Sequence, residues 1–251
     1  MKTKLITFLL ILGGAVSLPS CINVDEKGNY QVLMSYAVVN YNVNMGGLTM
    51  LIPNYELGAP ELSQSELSMD DCIAARFTVD YSNQPYSYLI ATQITYNEIA
   101  QSYPVVEDEL TVDDYKFPVT GIFPSYNLYF KGKVFFDISH TAPSNQKVSY
   151  KMICINKEGE DAEVKDVYLL AKSDNDAGSS TNTLTNAYVF DMNNLIRLYG
   201  KDTVLEGSTN TSVKRLKFNL KYYTGEKDGI PQFSNVSVSG SGNQLSIDIL
   251  N

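Results

Sequence analysis

The side chains of this sequence that could perform chemistry are few and far apart. His140 is its one histidine, and beyond residue 21 its only thiols are those of Cys72 and Cys154. A nucleophilic triad needs a base between a nucleophile and an orienting group, and both cysteines lie in alternating apolar segments typical of buried strands. One histidine and two distant cysteines also lack the spacing of zinc ligands. We therefore expect a structural His140 at the end of a strand, no cofactor and no catalysis.

Acidic residues offer two further possibilities. Asp174 and Asp176 alternate with small polar residues as in part of a calcium loop, but a third acidic position before the glycine and a bidentate glutamate beyond it are absent. They remain calcium candidates in what also has the composition of an ordinary surface loop. The carboxylate pairs at 70–71 and 113–114 cannot each flank one glycosidic bond, because adjacent strand residues point to opposite faces.

The first residues indicate export. Lys2 and Lys4 precede the apolar run 5–16, and residues 18–21 read Leu-Pro-Ser-Cys, which resembles a bacterial lipobox. The apolar run is too short for a membrane-spanning helix, which needs about 20 residues. We predict a lipoprotein signal peptide over 1–21, removed before Cys21, whose lipidated thiol would anchor the chain. An ordinary secretory signal is the alternative.

Charge and composition narrow the function classes. Without residues 1–21 the chain has 17 basic and 28 acidic residues, a net charge of −11. Such a chain is repelled by nucleic acid and by anionic lipid surfaces. Hydrophobic residues make up 44% of the sequence, enough for a substantial core. Export would permit a disulfide between Cys72 and Cys154, but two buried free thiols are favoured by their apolar settings.

The periodicity is that of strands almost throughout. We predict a tether over 22–29, a small closed OB-like β-barrel over 30–105, an acidic linker over 106–118 and a β-sandwich over 119–251. Residues 57–69 are predicted to lie across one end of the barrel, and Cys72 to face away from the core residues that follow it. One short helix is expected, capped by Asp191 and ended by Gly200.

Four segments carry a resemblance to a known family. Met34–Asn40 and Asp70–Val79 in the first half, with Lys133–Ser139 and Leu216–Tyr223 in the second, resemble the strands of the NigD-like lipoproteins of Bacteroidetes. The resemblance implies an all-β chain with an OB-like barrel followed by an immunoglobulin-like sandwich. The family takes its name from a bacteriocin gene cluster, and it supplies no catalytic or binding residue to carry over.

One modification is also predicted. Asp202-Thr203-Val204 resembles the short Asp-Thr-aliphatic acceptor used for O-glycosylation in Bacteroidetes. We expect Thr203 to lie in a loop directly after the helix, where a transferase could reach it.

Together these observations predict a non-catalytic lipoprotein of the outer membrane, on the cell surface or on the periplasmic face. Its loops and strand edges would bind an envelope protein or an extracellular ligand. The alternative is a structural or accessory subunit of an envelope or bacteriocin-related complex. A hydrolase using scattered acids is a third possibility.

Overall fold

The computed structural model confirms an all-β chain. It describes residues 30–53, 55–82, 88–112, 114–143, 145–156, 163–174, 182–205, 211–236 and 244–250. Within these ranges the strands form three sheets, accompanied by one short α-helix and two 3₁₀ turns. The predicted signal peptide, Cys21 and the tether lie outside the described residues.

The first half folds into one antiparallel sheet, here called the barrel sheet, with strand order β3-β2-β1-β4-β5. Its strands are β1 (Tyr30–Asn42), β2 (Gly47–Ile52), β3 (Tyr55–Gly58), β4 (Cys72–Asp80) and β5 (Ala91–Ile99). The inward positions of β4, with Phe77 among them, form a core with β1 and β2. After β3, the 3₁₀ turn Pro60–Gln64 buries Leu62 in this core, while the predicted position of residues 57–69 across one end stays a prediction.

The prediction of a closed barrel needs correction. The hydrogen-bonded ladder of the barrel sheet stays open, and its two edges meet at a single parallel bridge between Gly58 and Ile90. The Gly58 amide donates to the Leu89 carbonyl at 2.9 Å, so this one point joins the edges. Because β3 has only four residues, it cannot support a longer ladder against β5.

The second half is a sandwich of two sheets. The four-stranded one, here called the middle sheet, has the order β6-β12-β9-β8, and the seven-stranded one, the outer sheet, contains β13, β14, β11, β10, β7, β15 and β16. Middle-sheet strands are β6 (Gln101–Ser102), β8 (Gly121–Phe130), β9 (Lys133–Thr141) and β12 (Thr183–Asp191). Outer-sheet strands are β7 (Val105–Glu107), β10 (Val148–Ile155), β11 (Val164–Ser173), β13 (Lys201–Leu205), β14 (Thr211–Lys227), β15 (Ile230–Asn235) and β16 (Gln244–Leu250).

The main core lies between the middle and outer sheets. Phe136 and Phe190 from the middle sheet meet Phe218 and Met152 from the outer sheet. The helix α1 (Asn193–Tyr199) adds buried side chains to one end of this core. The N-cap is Met192 and not Asp191 as predicted, although the Asp191 carboxylate accepts from the Asn193 amide at 3.0 Å; Gly200 is the C-cap, as predicted.

The predicted linker takes part in the sandwich. Its first residues belong to β7, which pairs in parallel with β10, and β6 just before it pairs with β12. Further along, Leu110, Val112 and Tyr115 pack on the outward face of the outer sheet. The division into domains at 105 and 118 stays a prediction, but these residues are bound to the sandwich by both strand pairing and apolar contact.

The three sheets therefore form three layers. Val38 and Cys72 on the outward face of the barrel sheet pack against Phe135 and Val189 on the outward face of the middle sheet. As predicted, Cys72 faces away from the core of its own sheet. This contact between the two halves positions the side chains considered next.

Candidate functional site

The contact between the barrel and middle sheets contains charged and polar side chains that are buried or half-buried, among them Lys133, Tyr36 and Asp137. Strand β1 alternates Tyr36 and Val38 outward with Ala37 and Val39 inward, because successive strand residues point to opposite faces. Strand β9 does the same, and its outward residues include Lys133, Phe135 and Asp137. Each strand therefore buries side chains on both faces: one face lines the core of its own half, and the other meets the opposite layer through Val38 on β1 and Phe135 on β9.

Tyr36 and Asp137 form the central polar contact. The Tyr36 hydroxyl donates to Asp137 Oδ1 at 2.5 Å, and its ring stacks on Phe135 with centroids 5.4 Å apart. Burial, with the charge of Asp137 beside it, raises the pKa of Tyr36. Burial also raises the pKa of Asp137, although the hydrogen bond from Tyr36 acts in the opposite direction. This hydrogen bond thus joins the barrel sheet to the middle sheet, and each of its two groups would be left without this partner if the sheets separated.

A second polar cluster surrounds Lys133, whose residue surface is only 4% exposed. Its Nζ donates to Gln101 Oε1 at 2.7 Å and lies 3.8 Å from Asp191 Oδ2. The Cys72 thiol also donates to Gln101 Oε1 at 3.5 Å. Burial raises the pKa of Cys72 to about 11, even though Lys133 acts to lower it. A thiol that stays protonated is a poor nucleophile, so this cluster is suited to holding two sheets together rather than to covalent chemistry.

The tip of the β8–β9 hairpin joins the two halves at a third point. Lys131 Nζ donates to Asn40 Oδ1 on β1 at 2.6 Å. At the tip Gly132 has φ +76°, and a Cβ on it would lie 2.1 Å from Asn193 Oδ1 at the start of α1. The tip is therefore packed between the barrel sheet and the helix with room for glycine only.

Beyond Tyr36 and Asp137 the contact opens to solvent. Phe123 is the cross-strand neighbour of Asp137 on β8, and Met34 lies two residues from Tyr36 on the same face of β1. Each is 57% exposed, and Arg76, paired with Met34, is exposed as well. We call Met34, Arg76 and Phe123 the contact rim. An exposed aromatic ring thus neighbours Asp137 on β8, and an exposed thioether lies two residues from Tyr36 on β1; each of these side chains can receive apolar groups.

His140 lies inside the main core, one residue before the end of β9. Its Nδ1 is 2.8 Å from the Pro118 carbonyl oxygen and its Nε2 is 2.9 Å from the Tyr150 hydroxyl. A carbonyl can only accept, so Nδ1 carries the proton and Nε2 accepts from Tyr150, whose oxygen accepts in turn from Asn186. Burial lowers the pKa of His140, opposed by the bond to Pro118. Both ring nitrogens are used in structural hydrogen bonds, in agreement with the structural role expected from the sequence.

The other candidates from the sequence are dispersed. Cys72 and Cys154 are both free and buried, and burial raises the pKa of Cys154 to about 11. Asp174 is described, with its amide 3.3 Å from the Lys147 carbonyl, whereas Asp176 lies outside the described residues. No group of three or more His, Cys, Asp or Glu side chains among the described residues is arranged to hold a metal ion.

The paired carboxylates also lie in separate places. The Asp71 carboxylate accepts from the Ser68 amide at 2.6 Å in the turn before β4. Asp114 pairs with Lys172 at 3.1 Å on the outer sheet, and Asp113 lies outside the described residues. The described members of the two pairs are used in a turn and in a surface ion pair.

The expected position of Thr203 is wrong. It lies in strand β13, paired with Val213 of β14, and not in a loop. Its hydroxyl donates to the Lys201 carbonyl at 3.3 Å, and the side chain is half-buried. Pairing with the long strand β14 overrode the polar composition that suggested a loop, and glycosylation of Thr203 stays a prediction.

Sequence reasoning missed the residues of the contact between the halves. A partial signal was present in β9, where Phe135 lies on the same face as Lys133 and Asp137, because charged groups that are buried beside an apolar ring need partners. Their partners Tyr36 and Gln101 come from segments 32 or more positions away in the chain. No local pattern could connect them.

These features define a class: an all-β protein in which a five-stranded, OB-like sheet packs through a polar contact onto a β-sandwich. No family model matches the sequence, and no curated protein matches it. The α-helix among the described residues has seven residues, and none of the described helices has the length and apolar character needed to cross a membrane.

Solved structures share the fold. A NigD-like immunity protein from Bacteroides caccae is similar with a TM-score of 0.50 and 13% identity, over 88% of this chain and 98% of the other. A toxin-related protein from Parabacteroides distasonis is similar with a TM-score of 0.50 and 11% identity, over 82% and 92%. A protein of unknown function, DUF1344, from Bacteroides vulgatus is similar with a TM-score of 0.50 and 12% identity, over 84% and 94%. The resemblance to NigD-like proteins is thus confirmed at the level of the fold.

Proposed function

We propose that this chain is a non-catalytic lipoprotein of the bacterial cell envelope that binds a protein partner at the contact rim. The observation that carries the proposal is the pairing of two exposed apolar side chains, Met34 and Phe123, with the half-buried Tyr36–Asp137 hydrogen bond. Exposed apolar residues beside polar groups are typical of protein interfaces, in which Phe, Tyr, Met and Arg are enriched.

The chemistry of the partner follows from charge. The exported chain has a net charge of −11, and Asp137 lies directly beside the rim. A partner surface with a basic or hydroxyl group between apolar side chains would complement the contact rim. A positive net charge on the partner would raise the rate of association. The polar contact holds both halves of the rim in fixed relation, which lowers the entropic cost of binding.

The names of the structural neighbours support an accessory role. One neighbour is called an immunity protein and another a toxin-related protein, and both names are compatible with a function that depends on binding another protein. An accessory subunit of an envelope or bacteriocin-related complex is therefore the second candidate. The two candidate functions differ in the lifetime of the complex with the partner protein. A binding module forms a transient complex, whereas an accessory subunit belongs to a permanent one.

Anchoring through Cys21 is part of the proposal. Each buried CH₂ of an acyl chain contributes about 0.8 kcal/mol, and stable anchoring takes more than one chain. Cys21→Ala should move the protein from the membrane to the soluble fraction of fractionated cells. A mutant that stays in the membrane fraction would contradict the anchor.

Site-specific photo-cross-linking in intact cells tests the rim. A cross-linking residue at position 123 or 34 should give a light-dependent adduct with a protein. The matched control is position 230, because Ile230 on β15 is 63% exposed but belongs to the outer sheet. The contact rim would be ruled out as the binding site if position 230 gave as much adduct as positions 34 and 123, or if positions 34 and 123 gave none. Co-purification of the adduct partner without light would favour the subunit.

A further inference from the structure

The barrel sheet ends in a strand edge that borders the contact rim. Strand β5 is the last strand of this sheet, and among the described residues it forms a ladder with β4 alone. Thr95 on β5 is the cross-strand neighbour of Arg76, which in turn pairs with Met34. These three side chains form one row across the outward face of the sheet, and all three are exposed. The contact rim therefore continues to the edge of β5.

The hydrogen bonds at both ends of β5 show which backbone groups this edge presents. The Ile94 amide donates to Glu61 Oε2 at 3.0 Å, and the Ala100 carbonyl, directly after the strand, accepts from the Val189 amide at 3.0 Å. Neither partner belongs to β4, so the backbone groups of residues 94 and 100 point away from β4. In an antiparallel pair the backbone groups of alternate residues point to the same side. The amides and carbonyls of Tyr96 and Glu98 therefore also point away from β4, and no other described strand pairs with β5 there.

The chain itself limits the length of this edge. Glu61, in the 3₁₀ turn after β3, accepts from the amides of both Gln93 and Ile94 at 3.0 Å. Gln93 has φ +53°, and the register of β4 against β5 shifts there. A bulge whose amides are already bonded cannot pair with a further strand. At the other end the chain leaves the barrel sheet and enters β6. Strand pairing is thus confined to residues 95–99, here called the β5 window.

The groups of the β5 window match an extended protein segment. Two amides and two carbonyls on one side of a strand are complemented by the backbone of another extended chain, which is how proteins bind by strand addition. Tyr96 is half-buried and packs against the core of the barrel sheet, so an apolar side chain opposite it would enlarge that core. Glu98 is exposed, and a lysine or arginine opposite it would complement its charge.

We infer that the partner protein adds a basic, extended segment to β5 over residues 95–99, so that the barrel sheet gains one strand. The inference rests on the proposed function, because the added strand would lie beside the row that leads to the contact rim, and it assigns the conformation and the charge of the partner's binding segment. A second copy of this chain is a poorer occupant, since two strongly acidic chains repel each other.

Photo-cross-linking in intact cells tests the inference, with the reactive residue at position 95 and, for comparison, at the rim positions 34 and 123. We expect an adduct at 95 with the same protein as at 34. Glu98→Pro removes one edge amide and leaves the ladder to β4 intact, because proline lacks the N–H. It should lower the adduct at 95 about five-fold, the effect of one backbone hydrogen bond. Glu98→Thr is the matched control, because it keeps the amide and a strand-forming side chain, and it should lower the adduct less.

A second variant covers the case in which Glu98→Pro does not fold. Glu98→Lys changes an exposed side chain and keeps every backbone group. It reverses the charge that a basic segment would meet, so it should lower the adduct at 95 more than Glu98→Thr does. Equal adducts in wild type, Glu98→Thr and Glu98→Lys would contradict a basic segment.

Failure of this inference can be distinguished from failure of the proposed function. Adducts at 34 and 123 with none at 95, or an adduct at 95 that Glu98→Pro leaves unchanged, would overturn strand addition and leave the contact rim in place. No adduct at any of the three positions would overturn both. An adduct at 95 with the mass of two copies, or a link within one chain to residues 22–29, would show that this chain itself fills the β5 window, and would also overturn the inference.

Discussion

Two regions of this molecule use the same kind of ion pair in different surroundings. Arg215 and Asp248 on the outer sheet meet through two contacts of 2.7 Å, with 28% of each side chain exposed. Lys133 and Asp191 at the contact between the halves are 3.8 Å apart, with 5% and 14% exposed. The outer pair has the better geometry, yet water can replace either partner there. At the mostly buried pair water has far less access, so breaking it should have the larger consequence in spite of the longer distance.

The largest effect should come from Lys133→Met. The substitution keeps most of the side-chain volume but leaves the mostly buried Asp191 carboxylate without its cation and Gln101 Oε1 without its donor. Breaking a buried pair in this way costs about 3 kcal/mol of unfolding free energy, measured by urea denaturation. The double variant with Asp191→Asn should recover part of this loss, because no uncompensated charge remains. Equal losses in the single and double variants would show that the charge is not what matters.

A smaller effect is expected for Tyr36→Phe. It removes the donor to Asp137 while keeping the stacking on Phe135, and a hydrogen bond to a charged group contributes about 2 kcal/mol. Tyr81→Phe is the matched control, because the exposed Tyr81 hydroxyl, directly after β4, donates to Gln31 on β1 at 3.1 Å. We expect its unfolding free energy to change little. Similar losses for both variants would contradict a special role for the contact between the halves.

His140 extends the comparison to pH. Its pKa is lowered in the folded state, so the unfolded chain takes up the proton first when the pH falls below about 6.5. The stability that neutral His140 contributes is present above that pH and is lost as the pH falls toward the folded pKa. His140→Gln can keep both hydrogen bonds without titrating. The difference in unfolding free energy between wild type and this variant should change between pH 7.5 and pH 5, and a constant difference would count against the buried neutral ring.

The smallest effect is expected on the outer sheet. Arg215→Met removes a surface ion pair, and such pairs contribute about 1 kcal/mol or less. The effect should shrink further at high salt, because exposed charges are screened. Thermal unfolding at low and at high ionic strength measures this dependence. A loss as large as that of Lys133→Met would reverse the comparison.

Much of the fold could be predicted from local patterns. The alternation in β4 predicted both its inward face and the outward position of Cys72, and Gly200 predicted the end of the helix, while Asp191 lies one residue before its N-cap. Strand β13 was missed because its residues are polar, and it is a strand only because β14 is long enough to pair with it. Residues 105–107 were missed because they border the acidic stretch that was read as a linker, and it is β10 that supplies their pairing.

The sequence by itself determined the strand periodicity, the charge and the likeness to NigD-like proteins, because these depend on residue types at short spacing. Only the tertiary structure decided that Tyr36 meets Asp137, that Gln101 meets Lys133 and that Lys201 lies beside Glu163. These contacts join residues from distant segments on the outward faces of sheets. An alternating pattern says which face a residue takes, but what covers that face is set by how the layers stack.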